Sequence, residues 1–182
     1  MSCRRTCKTL FFKLRWKALM TVADIKFHSE TKGVLTVEQV LQEITGFVQR
    51  EPERFYKIII GTDSRAADPS FLVTALTVWR VGNGAVHFWT KSVDKKFATM
   101  RDRIWQEALN SIMLAQEMRT HLQKVLGDDF FWEGNEIHVD VGHNGPTRDL
   151  IDSVTGMIKG YGFAPVIKPY SFGASIVADR HT

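Results

Sequence analysis

Four carboxylates stand where they could do chemistry. Asp63 follows the run Ile58-Ile59-Ile60-Gly61-Thr62, and Asp140 follows Ile137-His138-Val139. An acid that closes a buried strand sits on rigid backbone at the carboxyl edge of a sheet, where open α/β sheets bind ligands. Two such acids on neighbouring strands repel unless a cation lies between them. Mg²⁺ or Mn²⁺, which take oxygen ligands, would meet that need. Glu107 borders the apolar stripe of a long helix, beside Ile104 and Ala108. Alone it is an ordinary surface glutamate; with Asp63 and Asp140 it becomes a third candidate ligand. Asp179 follows the small, apolar stretch Gly173-Ala174-Ser175-Ile176-Val177-Ala178 and is a fourth. An acid beside an arginine, here Arg180, is otherwise a solvated pair of small weight.

The elements that must position these acids follow from periodicity. Val37, Val40, Leu41, Ile44, Phe47 and Val48 recur at helical spacing, with Thr36 as the N-cap and Pro52 beyond the end. Tyr56 to Ser64 is β-branched and continuous, a strand buried on both faces. Phe71 to Arg80 and Ala85 to Ser92 are two further strands around the turn Gly82-Asn83-Gly84, so three strands form an antiparallel meander. The spacing predicts a long helix over 94–126, closed by Gly127. A fourth strand is expected from Glu136 to Val141. A helix opened by Gly145-Pro146-Thr147 should run to Lys159. A short fifth strand is expected from Phe163 to Ile167, and a partly irregular helix from Ser171 to His181. This order implies an α/β fold with a mixed five-stranded sheet and helices on its faces.

Other polar groups cluster near the acids in sequence. Asn144, Thr147 and Arg148 sit where a helix begins, and the amides and dipole of a helix N-terminus favour phosphate. The same residues also serve as a cap and its approach. Ser64, Arg148, Lys168 and Arg180 are candidate contacts to substrate or to a phosphate backbone, although lone bases are commonly solvated or paired. His143 and His181 are candidate proton carriers. Trp79, Trp89, Trp105, Phe88 and Phe97 are more simply core residues than stacking platforms.

Composition sets the frame. The chain has 182 residues, 44% apolar and 24% charged, an ordinary globular balance sufficient for a core. Two cysteines, Cys3 and Cys7, are too few for a disulfide scaffold. No apolar run reaches the roughly 20 residues of a membrane span, so a cytoplasmic protein with no membrane partner is expected. The net charge of +4 is unevenly placed. Residues 1–19 carry six bases and no acid, which leaves 18 bases against 20 acids elsewhere. The basic segment would suit an arm for nucleic acid or a membrane surface, or a transit-like leader. The simpler expectation is a disordered extension or a misassigned start, with the protein proper beginning at Met20.

The order of acids, Asp63, Glu107, Asp140 and Asp179, is similar to the RNase H-like pattern of first strand, first long helix, fourth strand and last helix. More closely, Ile60-Gly61-Thr62-Asp63-Ser64, Asp140-Val141-Gly142 through Gly145-Pro146-Thr147-Arg148, and Lys168-Pro169 followed by Gly173-Ala174-Ser175 and Ala178-Asp179-Arg180 resemble the YkuK-type family of RNase H-like proteins. The resemblance covers roughly residues 24–182 and implies one RNase H-like domain over 20–182. It implies two-ion phosphodiester hydrolysis, with Mg²⁺ or Mn²⁺ ions about 3.5–4 Å apart. Asp63 would bridge the ions, Glu107 and Asp140 would hold one each, and Asp179 would complete the second site. The implied substrate is nucleic acid: RNA, an RNA–DNA hybrid or structured DNA.

A second reading is a nucleic-acid-binding module of the same fold without hydrolysis, which the near-neutral body favours. A third is a nucleotide-phosphate enzyme, because Asp140-Val141-Gly142-His143-Asn144-Gly145 resembles the phosphate loops of actin-like ATPases. Those need two domains around a cleft, for which this chain is short. A homodimer is compatible with the sequence but not specified by it.

Overall fold

A computed structural model describes residues 25–65, 67, 69–127 and 135–182. The expectations for residues 1–19 and for a start at Met20 lie outside the described residues.

The first element is a hairpin that periodicity did not announce. β1 (Phe27–Ser29) and β2 (Gly33–Leu35) pair antiparallel, with Phe27 opposite Leu35. Gly33 takes a φ of 73°, which a glycine adopts without strain at the end of so tight a turn. Three-residue strands are too short for an alternating pattern to register.

Thr36 then caps α1 (Val37–Gln49). Its hydroxyl accepts the Gln39 amide at 3.3 Å, and the Gln39 side chain accepts the Thr36 amide at 2.8 Å. This is a reciprocal capping box. β3 (Tyr56–Ser64), β4 (Leu72–Arg80) and β5 (Ala85–Lys91) form the expected meander. α2 (Met100–Leu126) begins six residues later than its apolar stripe predicted. Thr99 accepts the Asp102 amide as N-cap, and Lys95 is held in an extended bridge to Ser70, so 94–99 cannot be helical. Gly127, with φ 86°, ends the helix.

β6 (Asn135–His138) pairs parallel with β3, and β7 (Ala164–Val166) parallel with β6. Between them a 3₁₀ turn (Arg148–Leu150) leads into α3 (Ile151–Gly160). Asn144 and Gly145-Pro146 therefore precede the helix as loop, and Asn144 is not its cap. The chain closes with a π-helix (Gly173–Ala178) and a 3₁₀ turn (Asp179–His181).

The sheet is mixed, with order β2-β1-β5-β4-β3-β6-β7. It has seven strands, not five; the first hairpin supplies the extra two through the pairing of His28 with Trp89. Directly opposed residues share a face. Ile58, Ile60, Thr62 and Ser64 thus share one face with Leu72, Thr74, Leu76 and Val78. The three helices cover that face, and Ile44, Ile112 and Ile158 join its core. Asp63, Gly61 and Ile59 share the opposite face with Val73, Ala75 and Thr77, where Ala178 of the C-terminal segment packs on Val73 and Ala75. The end of β3 therefore lies between two layers. Among the described residues, no helix is long and apolar enough to cross a membrane.

Candidate functional site

Strand alternation at the end of β3 sends neighbouring side chains to opposite layers. Thr62 and Ser64 are buried and polar within an otherwise apolar strand. Both hydroxyls are used to seat α2. Thr62 Oγ1 lies 2.8 Å from Ser111 Oγ and 3.0 Å from Thr74 Oγ1. Ser64 Oγ donates to Glu107 Oε1 at 2.5 Å. Glu107 and Ser111 are four residues apart, hence on one helix face. Ser111 Oγ donates to the Glu107 carbonyl at 3.2 Å, which leaves Thr62 as donor to Ser111.

Glu107 is only 4% exposed. Burial pushes its carboxyl up to about 8, and the charges of Asp63 and Asp140 push the same way. The Ser64 hydrogen bond and the Arg103 guanidinium oppose the rise. Asp63, part-buried on the other side of the strand, is raised to about 6. Burial is again the main cause; Asp140 and Asp179 add to it, while a bond from the Ser64 backbone and the charge of Arg103 oppose it. Asp63 thus feels both other aspartates, which places it centrally in the group.

Asp140 stands two residues beyond β6, because the strand is shorter than its apolar run. Single backbone bonds continue the ladder around it. Val139 donates to Val166 O at 3.0 Å, and Lys168 donates to Val141 O at 2.9 Å. These bonds bring Lys168 beside Asp140, and Lys168 Nζ lies 2.8 Å from Asp140 Oδ1. A side chain at Gly142 would meet Lys168 Cβ at 3.0 Å, so glycine there lets the lysine stem lie against the loop. The contact is an ion pair without hydrogen-bond alignment, and Oδ1 is buried with no hydrogen-bond donor. Lys168 is thus the counter-charge of this oxygen.

Asp179 is exposed in the last 3₁₀ turn, where Thr182 Oγ1 donates to its carbonyl at 2.8 Å. Asp63 is within electrostatic reach of Asp140 and Asp179, and Glu107 within reach of Asp63 and Asp140. Among the described residues, no three of the four acids present oxygens that all lie within 4.8 Å of one another. This donor set fits a hard divalent cation: all oxygen, with two carboxyls held above their ordinary range chiefly by burial and further by neighbouring acids.

The remaining expected contacts separate. Ser64 is buried and committed to Glu107, so it positions an acid. Thr147 Oγ1 accepts the Gly142 amide at 3.3 Å and shapes the loop after Asp140. Asn144, Arg148 and His143 are exposed on that loop. Arg180 turns elsewhere, pairing with Glu30 at 3.3 Å. Sequence reasoning passed over Arg103, the one base whose charge lowers both Asp63 and Glu107; its position four residues before Glu107 was the available signal.

A family model described as ribonuclease H-like matches residues 39–182. An "Uncharacterized protein YkuK" from Bacillus subtilis (strain 168) is 33% identical over 168 residues, covering 86% of this chain and 96% of that protein. No solved structure matches the chain.

Proposed function

The chain belongs to the ribonuclease H-like family, and from that premise we propose that it is a divalent-metal-dependent nuclease acting on RNA, RNA–DNA hybrid or structured DNA. Asp63, Glu107, Asp140 and Asp179 are its metal ligands in this reading. The observation that carries it is the parallel pairing of β3 with β6, whose register carried on sets Asp63 beside Asp140 at one sheet edge, with the Asp140 charge helping to raise the Asp63 carboxyl. Bound Mg²⁺ or Mn²⁺ would neutralise these carboxylates, activate a water and stabilise the leaving oxygen.

The chain's own residues do the rest. Ser64 fixes the Glu107 side chain, and Ser111 with Thr62 seats the helix that carries it. Arg103 offsets part of the like charge. Lys168, which pairs with Asp140, and Arg148 would engage substrate phosphates, and Asn144 and Thr147 would shape the loop after Asp140. The protein is expected to act in the cytoplasm, alone or as a homodimer. A Mg²⁺ and Mn²⁺ cleavage screen over RNA, hybrid, duplex and four-way-junction substrates tests the proposal, with Asp63→Asn as control.

A second reading keeps nucleic-acid binding without hydrolysis. The balance of 18 bases and 20 acids beyond residue 19 favours it, because phosphate binding draws on a clear basic surface. Retention of nucleic acid in a gel-shift assay, with no cleavage in either ion, would select this reading.

A further inference from the structure

A second cluster of potential metal ligands, on β5, the β1 end and the C-terminal turn, includes none of the four acids. The pairing of His28 with Trp89 is antiparallel, so the same register carried on brings Glu30, just past β1, alongside His87 on β5. His87 and Trp89 are two apart and share a face. The C-terminal turn lays His181 flat on Trp89, with ring centroids 3.7 Å apart and planes 3° from parallel. The His181 ring also stacks against His87 at 6.4 Å. One ligand atom each from Glu30, His87 and His181 lies within 4.8 Å of the others. A second observation is independent of that spacing: His181 Nε2 is buried and has no hydrogen-bond partner. A buried ring nitrogen is ordinarily satisfied by a donor, an acceptor, a water or a metal.

We propose that Glu30, His87 and His181 form a binding site for one transition-metal ion of the zinc class. Ligand atoms around one tetrahedral ion lie roughly 3.4 Å apart, given bonds near 2.1 Å, so small side-chain rotations close the triad. Two imidazoles and one carboxylate suit Zn²⁺, Co²⁺, Ni²⁺ or Cu²⁺, and do not suit Mg²⁺. The ion class therefore differs from that of the all-oxygen acid site. Three protein ligands leave a fourth position open for water or another donor. The positive charges of Arg180 and Lys91 oppose a cation here, so strong imidazole affinity must supply the binding. Arg180 holds Glu30 through an exposed pair, which an arriving ion would displace. An ion so held would staple the C-terminal turn to β1 and β5.

The test is calorimetric titration of Zn²⁺ into the chelator-stripped full chain, with Mg²⁺ in excess. One Zn²⁺ per chain is expected. Affinity should fall at least tenfold in His87→Ala, in His181→Ala and in Glu30→Gln, which leaves the ring stack untouched. Asp63→Asn should leave Zn²⁺ affinity unchanged. Co²⁺ loading should give visible d–d bands that disappear in the histidine variants, while far-UV circular dichroism shows each variant folded. The proposal is overturned by absence of Zn²⁺ binding, by binding that survives all three substitutions, or by binding lost only in Cys3→Ser/Cys7→Ser.

Discussion

Ser64 Oγ donates a 2.5 Å hydrogen bond to Glu107 Oε1 across the interface between β3 and α2. One hydroxyl thus fixes the deepest acid of the site and docks the helix that carries it. Removing it leaves a buried carboxyl without its donor. Ser64→Ala should cost about 1–3 kcal/mol of stability, the penalty for an unsatisfied buried group. Urea denaturation measures this. The same variant should raise the Glu107 carboxyl further above its ordinary range.

The raised acids make the ion-free protein sensitive to alkali. Glu107 sits at about 8 when folded against an ordinary 4.5, and Asp63 at about 6 against 3.8. Below the unfolded values both states are protonated and nothing is lost. As pH climbs, the unfolded chain releases its protons first, so folded stability falls until the folded values are passed. For buried Glu107 the loss between pH 5 and 8 is on the order of a few kcal/mol. Tm in chelator should therefore drop over that window, and Mg²⁺ should restore it by favouring the ionised carboxylates. Glu107→Gln should flatten the drop. A Tm that rises from pH 5 to 8 in chelator would contradict this account.

Lys168 and a divalent ion compete for Asp140. Lys168→Met removes the 2.8 Å counter-charge, so Mn²⁺ should bind several-fold more tightly in calorimetry. Cleavage should nonetheless slow, because a phosphate contact goes with the lysine. Weaker Mn²⁺ binding would show that Lys168 supports the carboxylate geometry instead of opposing the ion.

His138 ties the C-terminal segment to the sheet. Its Nδ1 accepts the Gly173 amide at 3.0 Å, so Nε2 carries the proton and donates to Glu136 at 3.2 Å. Burial keeps the ring below its ordinary pKa and neutral. Glu136 is in turn paired with Lys57 at 2.5 Å. A Cβ at Gly173 would lie 2.7 Å from Ile59 Cγ2 and 3.3 Å from the His138 ring. Gly173→Ala should cost about 1–3 kcal/mol through overpacking. Hydrogen exchange should show the loss first in residues 173–182, which carry Asp179.

Much of this was legible in the sequence, for physical reasons. The isoleucine run made β3 central, and Thr36 announced the N-cap of α1; that Gln39 completes a capping box came from the structure. Asp63 and Asp140 fell at or just beyond the ends of recognisable strands and Glu107 inside a recognisable helix; the charges of Asp63 and Asp140 both reach Glu107. The β1–β2 hairpin was hidden because three-residue strands carry no period. The apolar residues of 94–99 extended a helical stripe that the Thr99 cap and the Ser70–Lys95 bridge cut short. The tasks of Ser64 and of the Glu30, His87 and His181 triad depend on which distant strands become neighbours, and spacing along one element cannot convey that.

The most direct measurement of the central claim is the Mn²⁺-dependent cleavage rate of an RNA–DNA hybrid, compared between wild type and Asp63→Asn. Loss of groups behind a metal ligand commonly costs 10–100-fold, so loss of a proposed ligand itself should cost at least about 100-fold. The account predicts metal-dependent cleavage by the wild type and its near-abolition in the folded variant. Equal rates in the two proteins, with or without chelator, would contradict it.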